Sequence, residues 1–140
     1  MFMLRMTLEE YKTYLQRKNK RSKYRNRRTE YDGYTFDSKA EAEYYKLLKL
    51  RKRAKEIKSF LLQPEYLLQE AFEKDGKKYR EIKYIADFEI THNDGSIEVV
   101  DVKGTLTQVF KLKMRMFHKL YPYKLTLVKL ENGRFVELDN

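Results

Sequence analysis

The chain has no cysteine and no tryptophan, and only two prolines, five glycines and two histidines in 140 residues. Without cysteine there is no disulfide framework, no thiolate nucleophile and no cysteine zinc site. The two histidines, His92 and His118, stand far apart in sequence, so zinc finds no histidine pair either. No apolar run approaches the roughly 18 residues of a membrane span. The first residues lack the long apolar stretch of a secretory signal. The expectation is one soluble, cytoplasmic domain. Phosphate-cradling G-x-x-x-x-G-K-[ST], dinucleotide-binding G-x-G-x-x-G and nucleophile-elbow G-x-S-x-G patterns are all missing. Nucleotide hydrolysis, dinucleotide chemistry and serine hydrolysis therefore leave the front rank.

Acid is missing from one stretch. Residues 17–28 (RKNKRSKYRNRR) carry Arg17, Lys18, Lys20, Arg21, Lys23, Arg25, Arg27 and Arg28 against no Asp or Glu. The chain's net charge is +10, so these eight account for most of it, and the remainder is nearly balanced. A basic strip joined to a balanced domain suits a polyanion, and nucleic acid above all. Such an arm contacts phosphates more than bases, with affinity that falls steeply with salt. A solvated linker is the plainer alternative. Ahead of it, Thr7-Leu8-Glu9-Glu10 forms a capping box that predicts a short helix over residues 8–17. Residues 1–30 are thus expected to form a helix and basic arm, and residues 31–140 the domain proper.

What is abundant is aromatic: eight Phe and twelve Tyr, enough with the aliphatics for a core. Tyr31-Asp32-Gly33-Tyr34 reads as a turn. Ser38-Lys39-Ala40-Glu41 is a second capping box, opening a predicted helix over residues 39–57. Its wheel centres on Ala40, Tyr44, Leu47 and Ala54, flanked by Leu48 and Leu50, with Glu41 and Glu43 at opposite rims. Either acid could reach a site at that end; the plain role of Glu41 is to cap its own helix. Strands are predicted over 60–72, where Pro64 suggests an edge, a bulge or a break, then over 79–91 and 96–103. Thr107 caps a predicted helix over 108–120. Its apolar face is read as Val109, Leu112, Met116 and Leu120, with Phe110 and Phe117 beside them and Lys113 in its midst. That Lys needs a partner or a path to water. Lys111 and Arg115 point outward, where phosphates could be met. Strands over 124–129 and 134–138 close the chain. The order is helix, three strands, helix, one or two strands, an α/β sandwich with a mixed sheet between helices.

The chemistry concentrates in residues 84–104. Alternation along a strand puts Ile82, Tyr84, Ala86, Phe88 and Ile90 on one face, and Asp87 and Glu89 on the other. Asp101 and Lys103 share a face of the next arm. A three-residue loop Asn93-Asp94-Gly95 sets His92 opposite Ser96 and hence Asp87 opposite Asp101; a two-residue loop would pair Asp87 with Val102. The three-residue loop is expected. Like charges so opposed are unfavourable unless a cation lies between them. Two aspartates and a nearby glutamate make a hard oxygen site for magnesium or manganese, not zinc. A divalent cation there, with Lys103 beside it, suits phosphodiester hydrolysis.

The set Asp87, Asp101-Val102-Lys103-Gly104 and an upstream helical acid resembles the PD-(D/E)XK endonuclease superfamily. The ordered blocks EYDGYTFDSKAEAEYY, LQPEY, YIADF, VVDVKG and KLKMRMF resemble, more closely, short phage proteins of that superfamily described as Holliday junction resolvase-like or recombination endonucleases. The likeness spans about residues 30–127. It implies an αβββαβ core and a magnesium-dependent (or manganese-dependent) nuclease acting on branched DNA. It implies Glu41, Asp87, Asp101 and Lys103 as catalytic residues, with Glu41, Asp87, Asp101 and the Val102 carbonyl as metal ligands and Gln63 and Lys113 in support. Ala86 stands where the motif's name has proline. Junction resolution asks for two sites and so a homodimer. A subunit that cuts only within a larger recombination complex, or a DNA-binding or assembly factor that does not cut, are the other expectations.

Overall fold

A computed structural model describes residues 3–4 and 28–140. The helix expected over 8–17 and the basic positions from Arg17 to Arg27 lie outside the described residues; Arg28 is exposed. The boundary drawn after residue 30 falls inside a short strand, Thr29–Tyr31.

Three Xaa-Gly pairs set the tight turns. Asp32-Gly33, Asp75-Gly76 and Asn132-Gly133 each place two successive residues at positive φ, the geometry of a type I′ turn, whose twist matches that of paired strands. They join β2 (Thr29–Tyr31) to β3 (Tyr34–Phe36), β6 (Phe72–Lys74) to β7 (Lys77–Tyr79), and β11 (Lys124–Glu131) to β12 (Arg134–Leu138).

A single β-ribbon forms the spine of the molecule. Its arms are β4 (Ser59–Leu62), β5 (Glu65–Gln69) and β6 on one side, and β7, β8 (Ile82–Ile85) and β9 (Phe88–Thr91) on the other. Ser59 lies opposite Thr91, Leu62 opposite Phe88, Glu65 opposite Ile85 and Leu67 opposite Lys83, without a slip in register. A bulge between Leu67 and Gln69 shifts the pairing by one, and that register continues through Phe72 opposite Tyr79 to Lys74 opposite Lys77. The strands expected over 60–72 and 79–91 are therefore extended chain, but each is interrupted at a shared bend. Pro64 has no N–H to give to a ladder, and Gln63 before it takes a φ of 50°. Two backbone bonds carry the pairing across: Gln63 N–H to the Asp87 carbonyl (3.0 Å) and Ala86 N–H to the Pro64 carbonyl (3.1 Å).

At the bend the ribbon passes from one sheet to another. β4 and β9 belong to a five-stranded sheet of order β12-β11-β10-β9-β4, where β10 is Ile97–Val102. β5 and β8 belong to a three-stranded sheet with β1 (Met3–Leu4), a strand that sequence reasoning did not foresee. β10 runs antiparallel to β9 and parallel to β11, so the larger sheet is mixed. The bend also corrects the expected alternation. Tyr84 and Ala86 enter one core and Phe88 and Ile90 the other.

Helix α1 (Lys39–Arg53) begins where expected, with the Ser38 side chain accepting from the Glu41 N–H at 3.1 Å. It ends sooner, because Lys55 turns the chain at a φ of 60° and drops Ile57 into the core. Its buried residues are Ala42, Tyr44, Tyr45 and Leu48; Leu47, Leu50 and Ala54 are exposed. The helix turns towards its tyrosines because rings bury more area than leucines. Tyr45 lies 5.2 Å from Phe36, and Tyr44 lies 5.3 Å from Phe88. Helix α2 (Gln108–Leu120) connects β10 to β11 on the opposite face, its N–H of Phe110 capped by Thr107 at 3.1 Å. It too is rotated from expectation. Phe110 and Phe117 are buried against Tyr66, Tyr84 and Tyr121, whereas Val109, Leu112 and Leu120 stand exposed. The helix carries two apolar stripes, and the aromatic one takes the core. No helix among the described residues is long and apolar enough to cross a membrane.

Candidate active site

The expected three-residue loop is the one that forms. The His92 N–H reaches the Ser96 carbonyl and the Gly95 N–H the His92 carbonyl, both at 2.9 Å. Gly95 supplies the φ of 87° that closes the turn. Asp94 pins the far side, accepting from the N–H and hydroxyl of Ser96. This loop fixes the register of β9 on β10 as far as Phe88 opposite Val100. One step further, at the ribbon's bend, Asp87 faces Asp101.

The two carboxyls meet. Asp101 is buried to 1% exposure and lies in hydrogen-bond contact with Asp87. One Asp87 oxygen accepts the Val102 N–H at 2.8 Å. Burial raises the Asp87 carboxyl well above the ordinary carboxylate range, and the negative charges of Glu41 and Asp101 raise it further; the Val102 N–H opposes them only in part. A contact between two carboxyls needs a proton or a cation to hold it, and this pair is built around that need.

Lys103 completes the Asp-x-Lys face. Its Nζ lies 3.5 Å from Asp101 Oδ2 and 4.1 Å from the centroid of the Phe110 ring. Its backbone N–H is tied to the Val128 carbonyl at 2.9 Å, so the strand end is anchored while the ammonium stays half-buried. Glu41, in the first turn of α1, is near enough to act on Asp87 through space. Glu43 instead pairs with Lys46 at 3.1 Å. Of the two helical acids, Glu41 is the one that faces the site.

The other expected residues divide. Gln63 is buried and joined through its N–H to Asp87. Lys113 sits half-buried in the stripe between Phe110 and Phe117, yet makes no ion pair among the described residues; the ammonium that reaches the carboxylates is Lys103. Lys111 and Arg115 are exposed, as expected. Sequence reasoning missed Tyr84 and Phe110 as site residues. The buried Tyr84 hydroxyl donates to Asp101 Oδ2. Burial first, then the Asp101 charge, raises its pKa well above that of a free tyrosine, so it stays a donor. The available signal was that a tyrosine on a core face must find its hydroxyl a partner. Glu89, on the same face, is buried and accepts from the Tyr66 hydroxyl at 2.9 Å.

The family model described as a protein of unknown function (DUF1064) matches residues 21–132. The chain belongs to the DUF1064 family. The matched stretch holds the whole ribbon, both helices and every site residue described above, and leaves out the first twenty residues. No curated protein and no solved structure matches this DUF1064 chain. Among its described residues, no three or more of His, Asp and Glu are gathered as a ready metal cage. The donors that do meet, Asp87 and Asp101, fit the demand of magnesium, which keeps several waters and takes one or two carboxylates.

Proposed function

We propose that the chain is a magnesium-dependent (or manganese-dependent) DNA endonuclease of the PD-(D/E)XK type, with branched recombination DNA as substrate and a homodimer as the cutting unit. The observation that carries this reading is the opposed, touching pair Asp87 and Asp101 with Lys103 on the same face. A pair of acids kept together at an energetic cost, beside a fixed ammonium, suits a cation-dependent reaction at a phosphate. Asp87, Asp101 and the Val102 carbonyl would hold the ion, with Glu41 reaching it directly or through water. When bound, the ion acidifies a water and neutralises charge on the phosphoryl oxygens.

The chain's own groups do the rest. The Tyr84 hydroxyl and the Lys103 ammonium both address Asp101 Oδ2, which fixes that carboxylate in one rotamer. The Val102 N–H does the same for Asp87. Phe110 shields one side of Lys103 and holds its positive charge where the scissile phosphate would sit. The exposed Lys111 and Arg115 of α2 lie beyond it as phosphate contacts, and the basic positions of residues 17–28 would extend the track along the DNA.

The test is cleavage of a labelled four-way junction, a fork, single-stranded DNA and plain duplex, each with magnesium, manganese or chelator, beside Asp101→Ala. Metal-dependent cutting that the variant loses, with binding kept, supports the reading. Cutting retained by Asp101→Ala refutes it.

A further inference from the structure

The distal end of the ribbon leaves the core behind. Every residue of β6 and β7 is exposed, and neither hydrophobic cluster includes one. An isolated two-stranded ribbon is marginal in water, so its extension beyond the core needs a reason. Its two large side chains, Phe72 and Tyr79, lie directly opposite each other. Their rings stack at 4.7 Å, nearly parallel at 10°. The pair stiffens the hairpin but leaves both rings open, at 45% and 39% exposure.

Alternation adds charge to the same face. Phe72, Lys74, Lys77 and Tyr79 share it, and Lys74 and Lys77 form the last pair before the Asp75-Gly76 turn. The Lys77 ammonium stands 5.2 Å over the Tyr79 ring. The end of the ribbon is thus an aromatic platform tipped by two ammoniums. That combination fits nucleic acid with exposed bases: rings stack on unpaired bases or on the open end of a duplex, and ammoniums meet the flanking phosphates. A protein partner would have no use for the lysine pair unless it were acidic.

We infer that the β6–β7 hairpin is a branch-point pin, whose Phe72–Tyr79 stack caps base pairs exposed where DNA strands part. This rests on the nuclease reading and deepens it by naming what selects the branched substrate. The ribbon itself sets the spacing. Tyr79 and Asp87 are carried on one arm, at most about 26 Å apart by strand rise, or roughly seven to eight base steps. The pin would hold the branch while the other end of the ribbon addresses a phosphate in one of the arms.

The experiment uses the full chain with Asp101→Asn, so that binding is read without cutting. Affinities for a four-way junction and for plain duplex are compared, with 2-aminopurine at the branch point reporting stacking. The double variant Phe72→Val, Tyr79→Val keeps β-branched residues across the hairpin but removes the rings; Phe72→Tyr, Tyr79→Phe keeps the stack. The Val pair is expected to lower the junction-to-duplex affinity ratio about ten-fold or more and to abolish the change in 2-aminopurine fluorescence, while the exchanged aromatics retain both. An unchanged ratio in the Val pair, or no junction preference before substitution, overturns the pin. Magnesium-dependent cutting by the unsubstituted chain is scored separately. Its absence would count against the nuclease reading while the affinity ratio still judges the hairpin.

Discussion

Replacing Asp87 with asparagine should make the metal-free protein more stable while abolishing the proposed cleavage. The substituted amide can still accept the Val102 N–H through its oxygen, as Asp87 does at 2.8 Å. Its nitrogen can donate to Asp101, where the native pair must share a proton or repel. Two unit charges about 4 Å apart repel by about 1 kcal/mol in water and about 4 kcal/mol at an effective dielectric of 20. Lys103, 3.5 Å from Asp101, offsets part of that. A net gain of about 1–3 kcal/mol is expected, or about 3–10 °C in Tm for a chain of this size. The pH dependence has a fixed sign. The folded Asp87 carboxyl is raised above its ordinary value of 3.8, so above that value the native state holds more protons than the unfolded one, and stability falls as pH rises. Asp87→Asn lacks this fall, and the gap in Tm between the two proteins should widen with pH. Under the proposed function magnesium should reverse the comparison. At a hundred-fold excess over its Kd it should add about 2.7 kcal/mol to the native protein and little to the variant. Calorimetry from pH 4 to 8, with chelator and with magnesium, reads all of this. A lower Tm for Asp87→Asn in chelator, with a gap that ignores pH, would refute the account of the pair.

Tyr84→Phe removes the donor to Asp101 Oδ2 and leaves the ring in its aromatic cluster. Loss of a hydrogen bond to a charged group should cost about 1.5–3 kcal/mol in chelator, and magnesium should recover part of it; equal denaturant midpoints for variant and parent in chelator would remove Tyr84 from the site. On the other face of the sheet, burial pushes the Glu98 carboxyl up, but hydrogen bonds from Thr126 and His92 outweigh it and hold the group below the ordinary glutamate value of 4.5. Its contribution is therefore present above pH 4.5 and lost as the pH falls through the depressed value. Glu98→Gln should lower the urea midpoint at pH 7 and flatten its decline in acid, and parallel curves for the two proteins would contradict this.

The register of the site was legible because a short loop determines it. Asn93-Asp94-Gly95 admits a G1-type closure, and counting back from it pairs Asp87 with Asp101 without any tertiary information. Caps at Ser38 and Thr107 were legible for the same reason, since each is satisfied by an N–H three residues on. What depended on packing between distant elements was not. Both helices sit rotated from the faces that their leucines suggest, because the choice between two apolar stripes is made by the aromatic partners waiting on the sheet. Pro64 announced a break, but not that Asp87 lies at the same bend, which becomes visible only when the two arms are aligned. Lys113 drew attention as a charge on an apolar face. Lys103 instead reaches the acids, because it ends the strand that carries one of them.

The hairpin order of the ribbon has a kinetic consequence. Asp87 and Asp101 are brought together by the hairpin that closes at Asn93–Gly95, while the hairpin that closes at Asp75-Gly76 pairs the arm carrying Asp87 with its other neighbour. Each pairing step after the turn closes only a small additional loop, so little chain entropy is lost at a time. The helices, and the parallel contact of β10 with β11, require longer excursions and belong to a later stage. A chain built this way is expected to press its two acids together before the helices that bury them have docked. The electrostatic cost of the site then falls on the rate of folding as well as on the final stability. Removing one charge should speed refolding more than it slows unfolding, which makes the chemistry of the site part of the barrier the chain crosses on its way to its structure.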